Sequence, residues 1–136
     1  MIKPVIKPIE EASKIKVTEN SIENDFFRLT LDEKGTFTSI FDKRNNREVL
    51  KNGARGNVIT AYEDYPREYD NWEMSSYYTE KSWEADDVKS FEILDEGERA
   101  GLKITKKFKN STIVQSIYLY NDIDKIDFEN YIDWKE

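Results

Sequence analysis

The residues best suited to chemistry lie between Tyr62 and Trp83, in the run YEDYPREYDNWEMSSYYTEKSW. It sets Tyr62, Tyr65, Tyr69, Trp72, Tyr77, Tyr78 and Trp83 among Glu63, Asp64, Glu68, Asp70, Glu73 and Glu80. Aromatic faces stack on the C–H faces of sugar rings, and carboxylates accept hydrogen bonds from hydroxyls. The composition therefore points to carbohydrate. The same side chains also suit the core and rim of an ordinary sandwich, because Tyr and Trp bury a large apolar body while their polar tips stay satisfied. Asp70 and Glu73 have the residue types of a glycosidase carboxylate pair. Acids on exposed loops are more often solvated than catalytic, however, so no catalytic residue is assigned.

Absences narrow the chemistry further. Histidine and cysteine are both missing from the 136 residues. No Ser-His-Asp triad, Cys-His pair, His-ligated zinc or disulfide framework can be built from this chain. Catalysis by the chain alone would fall to carboxylates, Lys or Tyr. The aspartates Asp122, Asp124 and Asp127 lack the Gly and terminal Glu spacing of a calcium loop, so no metal ligand is assigned.

Acidic residues outnumber basic ones, 28 to 21, for a formal charge of −7. This charge opposes nonspecific nucleic-acid binding, which needs cations against phosphate, and docking on anionic membrane. No apolar run approaches membrane-spanning length, which sets the expectation of a soluble chain. The opening MIKPVIKPIEEASK has no apolar core of a signal peptide. The lack of cysteine is compatible with a reducing compartment without proving one, and the expected location is cytoplasmic.

The elements that must position the aromatic–acid run follow a period of two. Residues 1–14, carrying Pro4 and Pro8, read as a linker or extended segment, and residues 15–136 as one domain. Phe27, Leu29 and Leu31 alternate with polar neighbours, and Asp32 to Gly35 supplies a turn. Phe37, Ser39 and Phe41 are expected on one face of the return strand, with Ile40 on the other. A turn at Asp42 to Asn46 and a short strand from Arg47 to Leu50 follow. Asn52-Gly53 and Gly56-Asn57 mark further turns.

A strand through Val58, Thr60 and Tyr62 leads into the aromatic–acid run. From Pro66 to about Ser82 the pattern predicts a long functional loop, with a short strand near Tyr77. Four strands then close the sequence. They run from Val88 to Leu94, through Leu102, Ile104 and Phe108, through Ile113 to Leu119, and through Ile126, Phe128, Ile132 and Trp134. Trp83 and Trp134 are expected in the core. Alternation of this kind predicts an all-β fold, an antiparallel β-sandwich with one buried face per sheet. The sequence stops directly after the Trp134 strand, and the expectation is a piece of a longer protein. An uncovered edge would invite self-association into a homo-oligomer.

Specific motifs now add to this reading. ENDFFRLTLDEKGTFTSIFDKRNNREVL, Glu23 to Leu50, resembles the opening of the C-terminal β-domain of glycoside hydrolase family 38 α-mannosidases. The resemblance is carried by Asn24-Asp25-Phe26-Phe27, by Gly35-Thr36-Phe37-Thr38-Ser39-Ile40, and by Asp42-Lys43 with Arg47-Glu48-Val49. Gly56 to Trp83 is similar to the next segment of that family. Glu63-Asp64-Tyr65-Pro66 matches its E-D-x-P turn, and Tyr69-Asp70-Asn71-Trp72-Glu73-Met74 stands where the family has W-D-A-W-D-I. Tyr69, Asn71 and Glu73 depart from that run but keep an aromatic and a carboxylate in place.

The resemblance implies part of a galactose-mutarotase-like supersandwich within a zinc-dependent, retaining α-mannosidase. In such enzymes an Asp nucleophile forms a covalent glycosyl intermediate and a second carboxylic acid protonates the leaving group. The zinc ligands and nucleophile belong to the family's N-terminal catalytic domain, the implied partner in the same protein. The resemblance thus implies no cofactor in this stretch, no activity by it alone, and a scaffold role. It makes Asp70, Trp72 and Glu73, and more weakly Tyr69, the candidates for α-mannoside contact. Asp64 is expected to cap backbone at the Pro66 turn. The competing expectations are a non-catalytic carbohydrate-binding β-sandwich module and a purely structural or oligomerising sandwich.

Overall fold

The computed structural model of the chain describes residues 14–62 and 82–136. Eleven strands occur among them: β1 Lys16–Thr18, β2 Ser21–Glu23, β3 Phe27–Leu31, β4 Phe37–Asp42, β5 Arg47–Glu48, β6 Thr60–Tyr62, β7 Ser82–Glu84, β8 Asp87–Asp95, β9 Arg99–Phe108, β10 Ser111–Tyr120 and β11 Ile126–Asp133. They form a five-stranded sheet in the order β1-β2-β3-β4-β5, a four-stranded sheet in the order β11-β10-β9-β8, and the ribbon β6-β7. Every pairing is antiparallel. The all-β architecture follows from the period-two alternation, which puts one face of each strand on a core.

The two larger sheets face each other. Ile22, Leu29, Leu31 and Phe37 from the first meet Ala100, Leu102, Ile104, Ile117 and Leu119 from the second. Each buried Ile, Leu or Phe among them contributes on the order of 2 kcal/mol by leaving water. β1 and β2 lie against β9 and β10. The first sheet therefore covers the middle of the second and leaves its β11 edge less sheltered.

The turns explain the register. Gly35 has φ +76°, and Asp32 closes the β3–β4 turn by accepting hydrogen bonds from the Lys34 and Thr36 amides at 2.9 and 3.0 Å and from the Thr36 hydroxyl at 2.7 Å. The β9–β10 hairpin turns through Lys109 and Asn110, with Lys109 at φ +54°. Gly101 faces Tyr118, and a Cβ there would come within 1.6 Å of the Ile117 carbonyl oxygen. Only glycine fits this backbone approach.

Three sequence expectations need correcting. A bulge between Thr30 and Leu31 makes Thr38 the extra residue of β4. Phe37 thus pairs with Leu31 and joins Ile40 on the core side, while Ser39 and Phe41 face away. The short strand after the Asp42 turn is only Arg47–Glu48, and Ser82–Glu84 is a strand where the loop was expected to end. Trp83 and Trp134 are not core: they are 42% and 54% exposed. Trp134 follows the end of β11, where it stacks on Phe108 rather than entering the core.

Candidate functional site

The described residues contain the stem of the aromatic–acid run. β6 and β7 pair Thr60 with Glu84, Ala61 with Trp83, and Tyr62 with Ser82, so the residues that flank 63–81 stand side by side. Tyr69, Asp70, Trp72 and Glu73 lie outside the described residues, as do Asp64 and the strand expected near Tyr77.

The stem is fixed by polar side chains that pattern reading did not single out. Arg55 grips the Glu84 carboxylate with both terminal nitrogens, one at 3.1 Å, and reaches the Thr36 hydroxyl at 3.5 Å. A planar guanidinium meeting a carboxylate through two bonds fixes orientation as well as distance. Asn57 sits at φ +60° and exchanges amide hydrogen bonds with Gln115, donating at 2.6 Å and accepting at 3.1 Å. Gln115 is buried among the apolar residues of β10. A buried amide without such a partner would cost about 1–3 kcal/mol. The Ala85 amide donates to the Ile59 carbonyl at 2.8 Å, and Phe37 and Gly56 exchange backbone bonds at 2.8 and 2.9 Å. One sequence signal for this anchoring existed: a glutamine at an inward position between Ile113 and Ile117.

An aromatic surface adjoins the stem. The Lys109 ammonium lies 4.8 Å from the Trp83 ring centroid and 5.5 Å from that of Phe108. Phe108 in turn stacks on Trp134, with centroids 5.9 Å apart and planes 8° from parallel. Elsewhere, an open groove of about 630 Å³ runs between the β1–β2 and β3–β4 turns, lined by Thr18, Glu19, Asn20, Leu31, Asp32, Glu33 and Phe91.

The electrostatics favour acceptors over proton donors. The Lys43 ammonium at 2.6 Å holds the Glu23 carboxyl below its usual range. Hydrogen bonds from Asn45 do the same for Asp42, and those from Ser39 and the Ile40 amide for Glu48. Glu96 is lowered by Arg99 at 2.8 Å and Tyr118 at 3.0 Å. Burial alone would raise Asp32, but the Thr36 and Lys34 hydrogen bonds and the charge of Arg55 outweigh it. A general acid needs a carboxyl held protonated near neutral pH, and these five are shifted the other way. Among the described residues no group of three His, Cys, Asp or Glu is arranged to hold a metal ion.

Comparison with known proteins gives this scaffold its class. Residues 22–136 match the model of the glycosyl hydrolases family 38 C-terminal domain, and the chain belongs to that family. It is similar to alpha-mannosidase G of Dictyostelium discoideum, with 25% identity over 122 residues, 85% of this chain and 11% of that protein. It is also similar to alpha-mannosidase 2C1 of mouse, 32% identical over 60 residues covering 44% of this chain and 6% of the relative. The human protein of the same name is 29% identical over 75 residues, 54% of this chain and 7% of the relative. The chain thus spans about a tenth or less of the length of these relatives.

Proposed function

We propose that this chain is the β-domain segment of a zinc-dependent, retaining α-mannosidase, where it supports the catalytic domain and lines the sugar pocket with the run between β6 and β7. The observation that carries the reading is the family match over residues 22–136. The named relatives are alpha-mannosidases, which supports α-mannoside as the substrate class. The anchored stem supports a positioning role, because a rigid scaffold fixes where a loop presents its side chains. Asp70, Trp72 and Glu73, with Tyr69 behind them, are the sugar-contact residues in this reading.

The zinc ion that the family implies does not fit the donor set here. The sequence has neither His nor Cys, and among the described residues no group of three carboxylates is arranged to hold a metal ion. No catalytic step is therefore assigned to a metal on this chain. The ion, the nucleophile and the acid belong in this reading to the catalytic domain, which is the partner in the same protein.

Two measurements test the proposal. The chain alone, with an aryl α-mannoside and zinc, should give no turnover above buffer. Turnover that vanishes in Asp70→Asn would overturn the scaffold reading. In a full-length α-mannosidase carrying this chain, Trp72→Ala should raise KM for the mannoside with the fold unchanged; an unaltered KM would remove Trp72 from the pocket. A Trp fluorescence response of the isolated chain to mannosides, lost in Trp72→Ala, would instead favour a free-standing carbohydrate-binding module.

A further inference from the structure

Lys106 is the sharpest anomaly among the described residues. It lies on the core side of β9, opposite Val88 and Ile113, and is 1% exposed. Among the described residues its Nζ has no hydrogen-bond partner. The stem passes beneath the β3–β4 turn, where a Cβ on Gly35 would stand 3.2 Å from the Lys106 Cε. A buried ammonium without acceptors is costly, since it has given up water and gained nothing directional in return.

The surrounding charges come from every element packed over it. Asp32 and Lys34 belong to the β3–β4 turn, Arg55 to the segment before β6, Glu84 to β7, and Asp86 to the link into β8. The three carboxylates attract the amine but are committed elsewhere. Asp32 is taken by Thr36 and the Lys34 amide, Glu84 by Arg55, and Asp86 by Lys34 at 3.7 Å. Burial opposes the charged amine more strongly than these carboxylates support it, so its proton is held less tightly than that of an exposed lysine.

We propose that Lys106 is a pH-sensitive latch beneath the β3–β4 turn, which Arg55 ties to the β6–β7 ribbon. With the amine uncharged, Glu84 stays with Arg55 and Asp32 with its turn. With the amine charged, one of these carboxylates is drawn to the Nζ, and the ribbon or turn that it holds loosens. The direction follows from proton counting. Between the folded and unfolded titration points of Lys106, the unfolded chain carries the proton more often than the folded one. Stability therefore rises with pH across that window and is lost as pH falls through it. The inference stands apart from the mannosidase reading, since it uses only groups of this chain.

The test uses the 136-residue chain. NMR titration of the Lys106 Cε and Hε signals should show an inflection below that of the exposed lysines; a coincident inflection would overturn the proposal. Urea midpoints of the chain and of Lys106→Met, measured on both sides of the Lys106 inflection found by NMR, should converge as pH rises through it. Parallel curves would overturn it. Amide exchange at Ala85, relative to β9 core amides, should show ribbon opening that falls by up to about tenfold per pH unit in the chain and stays flat in Lys106→Met. Equal pH dependence in both would leave the amine without a hold on the ribbon. Should the variant fail to fold, the NMR titration decides alone.

Discussion

The two ends of the sandwich solve the same problem differently. At one end Asn24, 3% exposed, has every polar group matched: its amide donates to the Tyr120 carbonyl at 2.7 Å, its side-chain oxygen accepts from the Phe26 and Phe27 amides at 2.8 Å each, and its carbonyl accepts from Lys43 at 2.7 Å. At the other end Lys106, buried as deeply, has no acceptor among the described residues. The first end ties the sheets together through a satisfied network. The second leaves an unpaired amine beneath the β3–β4 turn, next to the Arg55–Glu84 pair that holds the ribbon. The contrast teaches that burial of a polar group is informative only together with its partners.

Breaking the satisfied end should have the largest effects. Gly101→Ala forces a Cβ into the Ile117 carbonyl and should leave the chain without cooperative unfolding in a thermal scan. Asn24→Ala strands several backbone groups at once and should lower stability by about 3 kcal/mol in urea denaturation. At the other end the sign reverses. Lys106→Met keeps the aliphatic part of the side chain and removes the amine, and should stabilise the chain by about 1–2 kcal/mol at pH values below the Lys106 inflection. Smaller still is Arg55→Gln. Its ion pair with Glu84 is about a third exposed, so the loss should be under about 1 kcal/mol, seen mainly as faster exchange of the Ala85 amide.

Acid sharpens the comparison in another way. The Asp32 carboxyl is held below its ordinary value, so its contribution to stability is present above the unfolded titration point and disappears as pH falls through the folded one. Asp32→Asn should flatten that part of the acid-unfolding curve, read by the midpoint shift between pH 5 and 2.5.

Much of this molecule was legible from residue parity. The alternation through Leu102, Ile104, Ile113, Ile117 and Leu119 placed the strands and their core face, and Asp32 to Gly35 placed a turn. Parity fails where an extra residue enters, and the bulge at Thr38 puts Phe37 on the opposite face from Ser39 and Phe41. It also says which side a residue faces but not whether a second layer arrives there, which is why Trp83 and Trp134 were expected inside. The stem was only partly readable. Gly56-Asn57 announced a turn, but the union of Asn57 with Gln115 spans 58 positions, and no local pattern encodes it. The sugar-contact candidates Asp70, Trp72, Glu73 and Tyr69 rest on motif likeness and stay proposals.

The order of strands in the larger meander has a kinetic consequence. β8, β9, β10 and β11 each bond to the next in sequence, through short connections at residues 96–98, 109–110 and 121–125. Closing such short loops sacrifices little chain entropy, whereas joining Asn24 to Tyr120 must bridge 96 positions. The C-terminal hairpins should therefore gain exchange protection first on refolding. The N-terminal sheet then arrives as a lid on a surface already in place.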